Sequence, residues 1–474
     1  MNNLIEIDFK PETADDYLVT PFLKAVNDKN FAFTTNEMKI IVGKTGQGKT
    51  YHTANTFIPD LIKKGVKLIV VTVPQTEILD GDLFIDALEN MPVHVVFHPK
   101  AALKHLKKGR TVCLVTSHNS LVVQRGNRAL RKWMMTSGDE FAIFVDEAHT
   151  WLISNWLNYR DVQGAHASPS KYEAKLFKAL EELSKTSPYI FGMTATPNGE
   201  QLGKIDTVGT MKFKVINEMA PLHLTIPKSA YLNKVDYLDL KEKYDVWEKV
   251  GDAVTKIFTE DFGKTMMLSC NTKDSQHGYE LKEVFDMVAQ ILTTNGFVPE
   301  DEKCIAVMVG KGGSTSHNFQ TGVYAVNGSF EVVDEDEVKS KLDDVDDPLK
   351  VLIVVNKGQM GMNVTTMKSL ISFKPSNKDN SQGDALTEFA IQTLGRLVRL
   401  NVGENLKDFT EKWGYDISEY MKTLSLEEKI KLITANSFDI LVPKTDMWVQ
   451  AVDKFGTEYV STIQQAKAYW TNNA

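Results

Sequence analysis

A chain of 474 residues is too long for a single hydrophobic core and implies two or three domains. Its composition, 42% hydrophobic and 24% charged, is that of an ordinary globular protein, and no apolar run is long enough to span a bilayer. The formal net charge of −8 excludes nucleic-acid binding by overall charge, so any such binding must come from a local basic surface.

The opening Met1-Asn2-Asn3-Leu4-Ile5-Glu6 lacks the basic region and apolar core of a signal peptide. Three widely spaced cysteines, Cys113, Cys270 and Cys304, form no C-x-x-C pair, which points to a reducing, cytoplasmic setting rather than a disulfide framework or a structural zinc. After an N-terminal extension over 1–37, apolar runs rich in Val and Ile predict strands at Met38–Val42, Val66–Val73, Val93–His98, Thr111–Thr116, Phe141–Val145 and Tyr189–Thr194. Ala54, Phe57, Ile58, Leu61 and Ile62 repeat at helical spacing after the first of these, and Pro59 should bend or shorten that helix. Alternation of strand and helix at this rhythm predicts a doubly wound α/β domain over 38–219. Within it, Asn90–Gly138 holds no acid and nine cations, Arg125 and Arg128 among them, enough to neutralise several phosphates.

A weakly periodic stretch with Pro221 and Pro227 reads as a linker over 220–236. A second α/β set follows over 237–402, with strands expected at Thr265–Cys270, Cys304–Val309, Val351–Val355 and Ser369–Phe373. An insertion over 310–349 interrupts it. Asn327-Gly328 between alternating apolar residues predicts a two-residue hairpin there. Glu331–Lys350 then carries nine acids against three lysines and reads as a surface ornament or a protein-partner contact. Residues 403–474 read as a helical C-terminal region bearing Trp413, Trp448, Phe455, Tyr459 and Trp470, a second place where a protein partner could dock.

Two strings carry the chemistry. Gly43-Lys44-Thr45-Gly46-Gln47-Gly48-Lys49-Thr50 is a complete G-x-x-x-x-G-K-[ST] loop between a strand and a helix. Gly43, Gly46 and Gly48 let backbone amides turn toward phosphate oxygens, Lys49 suits the β- and γ-phosphates of ATP, and the Thr50 hydroxyl suits Mg2+. Asp146-Glu147-Ala148-His149 ends a buried strand, where Asp146 can hold the magnesium and Glu147 can orient and deprotonate the attacking water. Two further strings are Gly192-Met193-Thr194-Ala195-Thr196-Pro197 and Gln392-Thr393-Leu394-Gly395-Arg396-Leu397-Val398-Arg399. In the latter, Arg396 and Arg399 are three apart and would share a helix face, from which guanidinium groups can stabilise a developing phosphate charge.

With these four strings in order, residues 35 to 402 resemble a superfamily 2 helicase. The resemblance implies two tandem RecA-like domains with ATP in the cleft that closes on it, and a nucleic-acid-dependent ATPase or helicase. It makes Gly43–Thr50 motif I, Asp146–His149 motif II, Thr194–Thr196 motif III and Gln392–Arg399 motif VI. Arg396 and Arg399 then look like arginine fingers, with Gln392 near the γ-phosphate. His149, Thr194 and Thr196 look like the relay between the ATP and nucleic-acid sites. Gly361-Met362-Asn363 resembles motif V, with Gly361 on the nucleotide side and Asn363 on the nucleic-acid side. Val73-Pro74-Gln75 and Thr116-Ser117 resemble the motifs that hold a sugar-phosphate backbone, which would give Pro74, Thr116, Ser117, Arg125 and Arg128 to nucleic acid. T-A-T-P and Q-x-x-G-R-x-x-R are similar to the DNA-acting branch of type III restriction motors, RecG-like enzymes and the phage UvsW helicase. A monomeric, membrane-free, phage-type enzyme is the expectation.

The first glutamine is Gln47, so no upstream glutamine is available to read adenine, and Asn363 stands where the family often has Asp. An RNA helicase, a packaging-type P-loop motor and a helicase-like scaffold without catalysis remain the alternatives.

Overall fold

The computed structural model describes residues 11–27, 33–73, 81–118, 120, 128–148, 171–195, 211–260, 263–270, 279–309, 319–355, 364–374, 390–403, 406–414 and 416–472. The chain divides into two compact units, Met1–Pro221 and Leu222–Ala474.

The first unit is built on seven strands: β1 (Glu37–Val42), β2 (Leu68–Val73), β3 (Val93–Val96), β4 (Thr111–Ser117), β5 (Phe141–Val145), β6 (Ile190–Thr194) and β7 (Lys212–Val215). They lie in the order β3-β4-β2-β5-β6-β1-β7, every pairing parallel. The continuous apolar runs follow from burial on both faces. Met38, Ile40 and Val42 pack on one face with Leu180 and Leu183 of the helix Lys171–Ser184. Ile41, Phe144 and Phe191 pack on the other with Phe57 and Phe22. Phe22 and Phe57 stack with ring centroids 4.1 Å apart, and Phe144 and Phe191 at 4.8 Å. Phe22 belongs to a helix, Ala14–Asn27, inside the stretch read as an extension, and its Leu18 and Phe22 belong to the core. Pro59 does not stop the helix after the glycine loop. The chain is α-helical over Lys49–His52, widens to a π-helical turn at Thr53–Phe57 and continues as α-helix over Ile58–Lys63. The wide turn sits where the proline ring would otherwise meet the carbonyl four residues back.

In the second unit the strands are β8 (Tyr231–Leu238), β9 (Thr265–Cys270), β10 (Lys303–Val309), β11 (Gly322–Ala325), β12 (Phe330–Val332), β13 (Val351–Val355), β14 (Met367–Ser372) and β15 (Ser437–Pro443). Their order is β12-β11-β10-β13-β9-β14-β15-β8, parallel from β10 to β8. Two expectations change here. β8 lies largely in the stretch read as a linker, and β15 lies in the region read as helical. The two pair with each other at the end of the sheet, along seven residues each. The helices of that region are nonetheless present, and Trp470 donates its indole N–H to the buried Tyr231 hydroxyl at 3.3 Å.

The Asn327-Gly328 hairpin is real, but its loop is one residue longer than expected. Ala325 and Ser329 close it, Gly328 N–H bonds the Ala325 carbonyl at 3.0 Å, and Gly328 has φ of +85°. That is a three-residue loop whose glycine takes the left-handed position. The acidic run is largely explained by local structure. Asp334 caps the helix Glu335–Asp343 by accepting the Glu337 N–H at 2.9 Å, and Glu335, Asp336 and Glu337 occupy its first turn, where the helix dipole favours anions. Asp344 and Asp347 each accept a backbone N–H two residues on, closing turns. Cys113, Cys270 and Cys304 are all buried free thiols, their pKa values pushed up to about 12 by burial. Among the described residues no helix is long and apolar enough to cross a membrane.

Candidate functional site

Because sheet one is wholly parallel, the carboxyl ends of its strands share one edge. Register pairs Val42 with Thr194, Thr72 with Val145, Val145 with Gly192 and Val73 with Ser117. The glycine loop after β1, Asp146 after β5, Thr194 at the end of β6 and Thr116-Ser117 at the end of β4 therefore emerge side by side. This is the edge at which open α/β sheets bind ligands. β6 lies between β1 and β5, so the loop and Asp146 rise from strands about 10 Å apart, a gap that a phosphate chain and a hydrated cation can fill.

The loop is held from several sides. Gly43 N–H donates to the Thr194 carbonyl at 3.0 Å. Lys44 N–H donates to Gln47 Oε1 at 2.7 Å, and Lys49 Nζ donates to the Gly43 carbonyl at 2.9 Å. Gly46 and Gly48 take φ of +83° and +80°, the left-handed conformation that glycine adopts without cost. At Gly43 a side chain would stand 2.7 Å from Leu18 Cδ2 and 3.0 Å from Lys49 Cγ. The buried Gln47 Nε2 has no hydrogen-bond partner among the described residues. A buried donor in a loop whose two glycines take left-handed backbone is the chemistry of an anion cradle.

The Asp146-Glu147-Ala148 segment is set by two unusual features. Among the described residues Glu147 is one of two non-glycine residues with positive φ, at +50°, and its N–H is received by the Asp146 carboxylate at 3.0 Å. A left-handed glutamate costs about 1–2 kcal/mol and persists where the surroundings enforce it. Ala148 is fully buried against Gly192, where a Cβ would come within 2.9 Å of the Ala148 Cβ. Glycine in G-M-T-A-T thus lets the D-E-A-H segment lie down on β6.

Three positions that the sequence did not single out also serve this edge. Asn217, 4% exposed, accepts the Val42 N–H at 2.9 Å and donates to the Val42 carbonyl. β7 has ended at Val215, so the amide continues the ladder beside the last residue before the loop. His118, directly after Ser117, is buried, interacts with the Asp146 backbone, and has its pKa lowered to about 3 by burial, so it is a neutral imidazole. His52 Nε2 meets Asp15 Oδ1 at 2.7 Å, tying the glycine-loop helix to the helix Ala14–Asn27. A lone Asn or His has no motif to announce it.

Gln392, Arg396 and Arg399 lie in the second unit. Residues 390–394 are α-helical, and the helix tightens to a 3-10 turn at Gly395–Val398. Arg399 follows in extended backbone (φ −73°, ψ +137°), so Arg396 and Arg399 do not share an α-helical face as expected. From Ala390 to Val398 only Gln392 and Arg396 are partly exposed; the rest are buried. The backbone that follows is pinned: Ala230 N–H bonds the Val398 carbonyl at 2.7 Å, and Asn436 receives Asn401 N–H at 2.6 Å and donates to its carbonyl at 2.8 Å.

Arg128 is exposed on the helix Arg128–Thr136 of the acid-free stretch. Arg131 of the same helix pairs with Glu182 at 2.8 Å, which takes one of the nine cations out of play. Ser117 Oγ lies 2.9 Å from Ser120 Oγ. Pro74, Arg125, His149, Thr196, Gly361 and Asn363 lie outside the described residues.

The sequence model of the family described as type III restriction enzyme, res subunit, matches residues 10–199. The matched stretch lies within the first unit. The res-subunit match takes in the helix Ala14–Asn27 together with the glycine loop, the D-E-A-H segment and β6. No curated protein matches the chain. Among solved structures, the ATP-dependent type ISP restriction-modification enzyme LlaBIII bound to DNA is similar over 96% of this chain and 33% of its own, at 12% identity and a TM-score of 0.50. Helicase Lhr of Mycobacterium smegmatis, bound to ssDNA and AMP-PNP, is 12% identical over 94% of this chain, with a TM-score of 0.49. Dbp5 of S. cerevisiae, bound to RNA and ADP BeF3, is 10% identical over 98% of this chain and 100% of its own, with a TM-score of 0.44. The chain spans about half, 48%, of the Lhr chain. Its two sheets flanked by helices, the first parallel throughout and the second parallel from β10 to β8, have the architecture of tandem RecA-like domains.

Proposed function

We propose that this chain is an ATP-dependent nucleic-acid motor, a helicase or translocase acting on DNA. The observation that carries the reading is the shared sheet edge at which the glycine loop, Asp146, Glu147 and Thr194 converge. In this reading the amides of Gly46–Lys49 and the Lys49 ammonium hold the β- and γ-phosphates. Thr50 and Asp146 offer the hard oxygen ligands that magnesium takes, and the ion would offset phosphate charge. Glu147, held in left-handed backbone, accepts the proton of the attacking water. Arg396 and Arg399 stabilise the charge that develops on the transferred phosphoryl group, with Gln392 orienting it.

DNA is preferred on the T-A-T-P and Q-x-x-G-R-x-x-R strings and on the res-subunit match. Thr116, Ser117 and Arg128, with Pro74, Arg125 and Asn363, would hold the sugar-phosphate backbone without reading sequence, so binding should weaken steeply with salt. The test is phosphate release from ATP with single-stranded, duplex and forked DNA and with RNA. Stimulation by DNA, abolished in Lys49→Ala and Glu147→Gln, is expected. Turnover indifferent to every polynucleotide, or undiminished in both variants, contradicts the reading.

A further inference from the structure

Beneath the motif VI segment of the second unit lies a charge cluster that core packing alone does not require. Lys368 on β14 is 2% exposed, and its ammonium donates to the Thr365 carbonyl at 2.7 Å and to the Arg399 carbonyl. Lys264, 5% exposed, and Arg399 are like-charged neighbours of that ammonium, and Asp343 is its opposing charge. Burial first, then Lys264, lowers the Lys368 pKa to about 7, with Asp343 opposing and Arg399 adding to the shift. The Asp343 carboxylate accepts Thr365 N–H, Thr365 Oγ1–H at 3.0 Å and Thr366 N–H at 3.4 Å. Burying such a group is costly unless its bonds are worth more than a packed methyl or methylene would be.

The bonds have a particular address. The other contacts that pin this backbone, from Ala230 to Val398 and from Asn436 to Asn401, tie it to the start of β8 and to the residue before β15. Lys368 ties Arg399 instead to Thr365, two residues beyond Asn363. We infer that Lys368, braced by Asp343, is a positioning residue that fixes the Arg399 backbone to the segment ending the motif V string, and so sets where the Arg399 guanidinium points. This rests on the ATPase reading above. Lys368 touches no reacting atom in it; it acts through Arg399. A displaced arginine of about 1 Å is enough to cost about 10²-fold in rate.

The test is steady-state ATP hydrolysis at saturating single-stranded DNA by the full chain, for Lys368→Met, Arg399→Ala and the double variant. Lys368→Met is expected to lower kcat by about 10-fold or more with KM for ATP within about twofold. In the Arg399→Ala background the same substitution should have almost no further effect, because the residue it positions is gone. Asp343→Asn, which keeps an acceptor for Thr365 but removes the charge, should show a smaller loss with the same dependence on Arg399; it also serves if Lys368→Met does not fold. A Lys368→Met enzyme with unchanged kcat, or a loss that multiplies fully onto Arg399→Ala, overturns the inference. Loss of DNA-stimulated turnover only in these variants, with Lys49→Ala fully active, would instead overturn the ATPase reading.

Discussion

The two units anchor their motif-bearing segments by different means. In the first, neutral contacts predominate at the glycine loop, with Asn217 completing the ladder at Val42, Thr194 receiving Gly43 and the helix Ala14–Asn27 pressing Leu18 against Gly43, beside one ammonium, Lys49, on the Gly43 carbonyl. In the second, the turn bearing Arg396 and Arg399 rests on buried charge, with Lys368, Lys264 and Asp343 under one stretch of backbone. Among the described residues both use a lysine ammonium on a backbone carbonyl, Lys49 at Gly43 and Lys368 at Arg399, and both use an asparagine amide clamping the N–H and C=O of a single residue, Asn217 at Val42 and Asn436 at Asn401. A loop that must keep one shape is well served by hydrogen bonds between neutral groups. In the proposed function the second segment must aim an arginine as well as hold its backbone, and buried charge can do both.

The sharpest way to break this comparison is kinetic. In the proposed function Arg396→Ala should lower kcat by about 10³-fold with little change in KM for ATP, because there its guanidinium acts on the developing charge. Lys49→Ala should weaken nucleotide binding and turnover together. Phosphate release combined with titration of a fluorescent ATP analogue separates the two; equal loss of affinity in both variants would erase the division of labour.

A smaller effect tests the shared clamp. Asn217→Ala strands the buried N–H and C=O of Val42, at a cost of about 1–3 kcal/mol, and Asn436→Ala strands those of the half-buried Asn401, at a smaller cost. Urea denaturation followed by tryptophan fluorescence should show this for Asn436→Ala in the second unit, and Asn217→Ala should in addition raise KM for ATP. Unchanged midpoints in both would mean that solvent replaces the amides.

The smallest effect is in pH. Burial lowers the Lys39 pKa to about 8, with Lys214 adding to the shift and Glu37 opposing it, while Lys368 falls to about 7. For a lysine lowered on folding, the unfolded chain binds more protons between the folded and unfolded values. Each therefore makes the fold more stable as pH rises from its folded value toward 10.5. Lys39→Met should flatten that rise above about pH 8 and Lys368→Met above about pH 7, read as denaturation midpoints against pH. Identical slopes in variant and parent would show the two ammonium groups to be ordinarily hydrated.

Most of the first unit was legible because its chemistry is local. A glycine loop between strand and helix, and a D-E pair after five apolar residues, announce both fold and site in one string. The second unit was less so. β8 and β15 pair across about 200 residues of sequence, and neither alternates strongly enough to stand out from the weakly periodic and helical stretches around it. Arg396 and Arg399 were found by their spacing, but the 3-10 turn at Gly395 that separates their faces depends on tertiary contacts at Val398 and Arg399. Asn217, His118 and Lys368 were missed because a single polar residue in an apolar neighbourhood carries no periodicity, and its role is fixed by which backbone lies opposite.

The place of β15 bears on how the protein is made. β8 is the first strand of the second unit to be made yet, among the described residues, pairs with no strand of its sheet except β15, which is synthesised some two hundred residues later. Until then β14 also waits with one flank open. The amino-terminal unit can close on itself meanwhile, whereas its neighbour stays an unfinished sheet for many seconds of translation. A nascent chain stalled between β14 and β15 would expose that open flank to chaperones, proteases or other unfinished copies.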